Sequence, residues 1–210
     1  MIKIGETNIN AIKLGNTNIK AVYKDNEKIW PTVLENWLIY NNQKYVLKQE
    51  FDVYELSPDQ GFNITLLDGT TLSISTDNFD KITEVVINQI DTTRTSIRSN
   101  FLSTLPNLEH FEFNAENNIT EIDGTFLYQT KAGLNLKLSA LNKLTTVGST
   151  FLMEAQVSSI DLSFLSNCTS IGNYLLRNNP LTSLNLSPLS NVTEIGTFFL
   201  AQCESLTTLD

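Results

Sequence analysis

Two hydrophobic rhythms run along the chain. The longer begins near Thr83, where strand-like pairs recur as F-E-F at Phe111, L-K-L at Leu136, I-D-L at Ile160, L-N-L at Leu184 and L-D at Leu209, in steps of 25, 24, 24 and 25 residues. A second column holds Ile97, Ile122, Val147, Ile171 and Ile195. Four residues after each stands Phe101, Phe126, Phe151, Leu175 or Phe199, followed directly by Leu102, Leu127, Leu152, Leu176 or Leu200. Three apolar columns in register over five copies predict a solenoid over residues 83–210, each unit burying its apolar face only against its neighbours. The L-x-L step sends two side chains inward and one outward, as a period of two requires. An N-x-T or K-L-T-T stretch then turns the chain, and Gly148, Gly172 and Gly196 are expected to allow a tight bend before the aromatic. One coil is therefore one strand and one irregular return.

The shorter rhythm opens the chain. Ile2 to Ala11 and Ile12 to Ala21 agree at seven of ten places, and Val22 to Pro31 keeps the spacing with Asp25-Asn26 where the glycine stood. Ten residues are too few for a helical repeat, so the phrase predicts strands and turns, read here as a small β-meander over residues 1–30. Its apolar residues fall on both faces, which a ribbon of this size cannot bury alone. Either the rest of the chain or a partner subunit must cover it. On the second reading Ile2, Ile4, Ile9, Ile12, Leu14, Ile19, Val22, Tyr23, Ile29 and Trp30 form a docking segment. Between the two rhythms, residues 31–82 read as a small β unit capping the solenoid. "WLIY-NNQ-KYVLK" is one hairpin, and "FNITLL-DG-TTLSIS" is another with Asp68-Gly69 as a two-residue turn. The predicted fold is mainly β.

Charge sharpens this division. The 210 residues carry 14 basic and 23 acidic side chains, a net charge of −9. Residues 1–30 hold five lysines against three acids, +2, leaving −11 for the remainder. So acidic a body argues against nucleic acid, whose binding rests on Lys and Arg neutralising phosphates, and against an anionic membrane surface. No apolar run approaches the ~20 residues that span a bilayer, and no apolar segment of a secretory signal follows Met1. Cys168 and Cys203 lack C-x-x-C spacing and read as small buried hydrophobes, with a disulfide or metal site as the lesser alternative.

Candidate chemistry is sparse. The outward strand positions make a ladder of Val86, Glu112, Lys137, Asp161, Asn185 and Asp210, with His110, Asn135, Asn114 and Ser139 among the flanking rungs. Solenoids use such a face for recognition, and a small, polar, mildly acidic one suits hydroxyl-rich ligands. His110, Glu112, Lys137, Asp161 and Asn185 are the candidate ligand-binding residues, set against the plainer reading that each is simply solvated. With one histidine, histidine triads and metal clusters are unavailable to a single chain. A carboxylate pair such as Glu112 and Asp161 could serve a glycosidase, but repeats place acids at regular intervals without catalytic purpose. No enzyme, cofactor or metal is expected. Of the four N-x-T sequons, at Asn63, Asn118, Asn167 and Asn191, three share one repeat phase, so repetition accounts for them.

"LTSLNLSPLSNVTEIGTFFLAQCESLTTLD" resembles the leucine-rich repeats of BspA-like surface proteins, with L-x-x-L-x-L, I-G and F-x-x-C landmarks over roughly residues 83–210. That resemblance implies a binding surface for proteins or glycans. "MIKIGETNINAIKLGNTNIKAVYKDNEKIWP" resembles the N-terminal segments of fibre and appendage proteins of tailed bacteriophages, including crAss-like phages of gut Bacteroidales. Together they imply a structural virion protein, assembled in the host cytoplasm and anchored to capsid or tail proteins through residues 1–30. Its solenoid would adhere to a host protein or glycan. Fibres of this kind favour a homotrimer, although no heptad stalk specifies one here. A bacterial BspA-like adhesin is the alternative, and a carbohydrate-active enzyme a more distant one. The last return, "GTFFLAQCESL", is as apolar as its predecessors, so further repeats or a distal domain are expected after Asp210.

Overall fold

The computed structural model describes residues 35–57 and 61–210 in full and, within residues 1–30, the backbone of six short strands. Contacts divide the chain into two compact units, Met1–Leu34 and Glu35–Asp210.

In the first unit β1 (Lys3–Ile4) pairs with β2 (Thr7–Asn8), β3 (Ile12–Leu14) with β4 (Thr17–Ile19), and β5 (Val22–Lys24) with β6 (Glu27–Trp30), each pair antiparallel. These are three separate two-stranded sheets. The strands of each ten-residue phrase pair with each other. Ile4 pairs with Thr7, Leu14 with Thr17 and Lys24 with Glu27, leaving Gly-Glu, Gly-Asn and Asp-Asn between them.

The second unit opens with the hairpin of β7 (Asn36–Tyr40) and β8 (Gln43–Leu47). Asn41 and Asn42 turn it with φ of 51° and 60°, as a type I′ loop demands. A second hairpin joins β9 (Phe62–Thr65) to β10 (Thr71–Ile74). Here the expected two-residue Asp-Gly turn becomes a three-residue loop. The Gly69 amide reaches Leu66 O (3.0 Å), the Leu66 amide reaches Thr70 O (2.8 Å), and Gly69 takes φ 85°. Type I turns followed by a left-handed glycine suit strands of this twist.

β11 (Ile82–Ile87) carries the cap into the solenoid, and the expected boundary between residues 82 and 83 falls inside it. It pairs antiparallel with β7 and parallel with the first repeat strand. The remaining strands are β12 (Ser96–Ile97), β13 (His110–Phe113), β14 (Glu121–Ile122), β15 (Asn135–Lys137), β16 (Thr146–Val147), β17 (Ser170–Ile171), β18 (Ser183–Leu184), β19 (Glu194–Ile195) and β20 (Thr208–Leu209). They stack as parallel coils, about five turns between residues 84 and 209. One five-stranded sheet runs β15-β13-β11-β7-β8, a second runs β12-β14-β16-β17-β19, and β18 pairs with β20. The three sequence columns are the three inner walls. Phe111 pairs with Leu136, Ile97 through Ile195 pair in succession, and Phe101, Phe126 and Phe151 bridge one another. All three of these phenylalanines are fully buried, their rings stacked at 5.1 and 4.9 Å and 11°.

The irregular return has its own rule. All five leucines that directly follow the third column, Leu102, Leu127, Leu152, Leu176 and Leu200, sit in the left-handed region at φ 47–55°. In the third coil Thr150 and Glu154 flank Leu152 in the same region. Left-handed backbone costs an ordinary residue about 1–2 kcal/mol, and hydrogen bonds between coils offset it. The Thr150 amide donates forward to Asn173 O, the Leu152 amide back to Phe126 O, and the Glu154 amide forward to Arg177 O, at 2.8–2.9 Å. These three amides of a non-strand segment thereby find partners.

The glycines at 148, 172 and 196 stand just before the turn, where close approach excludes a side chain. Their coils stack backbone on backbone: a Cβ on Gly148 would lie 2.3 Å from Asp123 O, and one on Gly172 2.6 Å from the Gly148 carbonyl carbon. The sequon positions staple the turn before the same strands. Asn167 and Asn191 donate side-chain amides to Asn142 O and Ser166 O in the preceding coil, each at 2.8 Å. Cys168 is buried, its Sγ against Thr145 O and its thiol pKa pushed up by burial, whereas Cys203 is only half-buried; both are free thiols.

The candidate recognition face

The outward face of the first sheet is where strand alternation, not any single motif, gathers polar side chains. Across β8-β7-β11-β13-β15 one outward row reads Val46, Trp37, Val86, Glu112, Lys137, and the next reads Lys44, Ile39, Glu84, His110, Asn135. The alternating inward row carries Leu38, Val85 and Phe111, all fully buried. Period-two alternation thus fixes which residues point outward, although Val86 in that row is itself buried.

At the centre of the face Glu112 collects three donors. His110 Nε2 lies 3.2 Å from Oε1, Asn114 Nδ2 donates to Oε2 at 2.8 Å, and Lys137 Nζ stands 3.7 Å from Oε2. Asn114 also bonds Asn88 Oδ1 at 3.0 Å, which ties the cluster to the preceding coil. The Asn114 amide, assisted by Lys137 and His110 against partial burial, holds the Glu112 carboxyl below the ordinary carboxylate range. Hydrogen-bond donors and acceptors converge here on a fixed sheet, an arrangement suited to binding.

Asp161 and Asn185, the other two candidates, are not in this cluster. Asp161 accepts from the Ser163 amide and hydroxyl, each at 2.9 Å, and Asn185 accepts from the Ser187 amide at 2.9 Å. Each opens a short 3-10 turn, Ser163–Leu165 or Ser187–Leu189, and satisfies its first amides. The strand ladder itself stops at β15: among the described residues no strand pairing joins it to Ser159–Asp161 of the fourth coil. A groove of about 280 Å³ lies there, lined by Lys137, Ser139, Asp161 and Ser163.

Sequence reasoning missed the contribution of the cap. Trp37 is on β7, outside the repeats, yet antiparallel pairing sets it beside Val86 in the same row as Glu112, with Lys44 Nζ 5.1 Å over its ring. The alternation in "NWLIY" could have signalled an outward tryptophan, but not which strand it would join. Of the docking residues, Ile2 and Ile9 lie outside the described residues. Ile4, Ile12, Leu14, Ile19, Val22, Tyr23, Ile29 and Trp30 fall in β1, β3, β4, β5 and β6, whose side chains lie outside them too.

Among the described residues no cluster of three or more His, Cys, Asp or Glu is placed to hold a metal ion, and no helix is long and apolar enough to cross a membrane. No family model, no curated protein and no solved structure matches this chain.

Proposed function

We propose that this is a non-enzymatic structural protein of a tailed-phage particle, docked by residues 1–30 and displaying the solenoid as an adhesive arm. The observation that carries the reading is the thrice-repeated hairpin phrase. It forms a unit apart from the solenoid by its contacts, and it bears +2 against −11 on the remainder. A repeated hairpin phrase that forms a compact unit of its own suits attachment to another subunit. The outward face, a fixed sheet with Glu112, His110, Asn114 and Lys137 at its centre, supports adhesion to a host protein or glycan. Resemblance of the opening phrase to phage appendage segments directs the reading to a virion.

The test is mass spectrometry of purified particles and of the cell envelope from the source culture, followed by deletion of residues 1–30. The chain is expected in particles, and the truncated protein is expected to stay folded yet remain outside them. Recovery from the envelope alone would favour the bacterial adhesin. Incorporation of the truncated protein at normal copy number would refute docking through residues 1–30.

A further inference from the structure

One position breaks the repeat. Four residues after the outward strand position stand Leu141, Leu165 and Leu189 in the third, fourth and fifth coils, all buried. The second coil has Glu116 there, and its side chain is exposed. With no leucine to fill the corner, the next residue turns inward. Asn117 is only 6% exposed; its amide donates to Ala115 O (3.0 Å) and Ala140 O (2.9 Å), and its Oδ1 accepts from the Ile119 amide (3.0 Å).

Beside this corner opens a hollow of about 520 Å³, walled by Asn117 and lined by Asn114, Glu116, Asn118, Asn142 and Lys143. Its size is that of small-ligand pockets, roughly 300–1,000 Å³. Lys143 Nζ braces the rim by donating to Asn117 O (2.7 Å) and Asn118 Oδ1 (3.2 Å). Among the described residues, the Glu116 and Asn142 side chains make no hydrogen bond within the protein, so their polar atoms are free to meet a ligand.

The chemistry of the lining selects the ligand. Amides offer both donors and acceptors, one carboxylate and one ammonium cancel in charge, and the apolar share is limited to Ala115 and Ala140. Hydroxyl groups, which donate and accept at once, match such a wall. An anion would meet Glu116, and a cation would meet Lys143. We propose that this hollow between the second and third coils binds a neutral saccharide. Asn114 joins it to the Glu112 cluster, so a longer chain could continue onto the sheet face. The proposal rests on reading the solenoid as the adhesive part of the protein.

The test titrates the full chain with maltotetraose, cellotetraose, mannotetraose and chitotetraose by calorimetry, alongside Glu116→Leu and Asn142→Ala. Glu116→Leu restores the pattern of the later coils and is expected to keep or raise the melting temperature while filling the hollow. At least one tetrasaccharide should bind the native chain, and each variant should weaken it by about tenfold or more. The proposal is overturned if none of the four binds, if a folded Glu116→Leu binds as the native chain does, or if a sulfated tetrasaccharide binds more tightly than every neutral one. Should Glu116→Leu fail to fold, unchanged affinity in Asn142→Ala overturns it. Each of these results leaves docking through residues 1–30 untouched, because particle incorporation reads that separately.

Discussion

Truncating Phe126 to alanine tests the stacked-coil reasoning most directly. Its ring lies between Phe101 at 5.1 Å and Phe151 at 4.9 Å, both at 11°, and meets Phe111 at 6.2 Å and 67°. The side chain is fully buried, and its backbone bridges both neighbouring coils, so the site has little freedom to collapse. Removing a buried phenylalanine costs about 3–5 kcal/mol through lost transfer and residual cavity. Losing two stacked partners at about 0.5–1.5 kcal/mol per aromatic pair puts Phe126 at the upper end of that range. Phe126→Leu is the informative companion, because Leu175 fills the same column in the fourth coil and is also fully buried. It should lose mainly the ring stacking, about 1–3 kcal/mol. Urea denaturation followed by far-UV circular dichroism gives the midpoints, with the slope checked for constancy because repeat arrays can lose two-state behaviour. Lys137→Ala, on the outward face, is the control and should change stability by no more than about 0.5 kcal/mol. If Phe126→Ala matches that control, or if leucine costs as much as alanine, the stacked inner wall is not what holds the coils together.

Gly172→Ala should destabilise by about 3 kcal/mol or more, since the added Cβ would meet backbone of the preceding coil at 2.6 Å; a melting temperature equal to the native one would refute the backbone-stacking account. Asn36→Ala should cost at least about 2 kcal/mol, because the buried amide donates to Lys48 O and Gln89 O and accepts from the Asn88 and Gln89 amides, all of which would lose a partner. Denaturation midpoints close to the native value would show that the cap is not fastened there. For Glu112 the folded-state pKa lies below its ordinary 4.5, so its contribution to stability is complete above that pH and lost as pH falls through the folded value. The gap between the native chain and Glu112→Gln should therefore narrow from pH 6 to pH 3, and a constant gap would contradict the donor cluster.

The solenoid was legible because each coil must bury the same three walls against the next. The columns at Phe111, Ile97 and Phe101 therefore repeat in the sequence with the spacing that the strands later show. Hairpins were legible for a local reason, since Asn41-Asn42 and Asp68-Gly69 tolerate positive φ, although the longer loop at Gly69 depended on pairing between distant residues. The candidate site was only half readable. Alternation placed His110, Glu112 and Lys137 on one face, yet nothing in the repeats announced Trp37, which reaches the same row through antiparallel pairing of the cap. Asp161 and Asn185 share the outward phase but are taken by their own turns, a competition that periodicity does not encode. Most hidden was the return. Leucine is a poor candidate for left-handed backbone on its own, yet five of them adopt it with their amides bonded to the preceding turn of chain, at Leu56 O, Phe101 O, Phe126 O, Phe151 O and Leu175 O. Local chemistry and burial repeat in sequence, and so they can be read there; the choice of which backbone group meets which neighbour exists only once the coils are stacked.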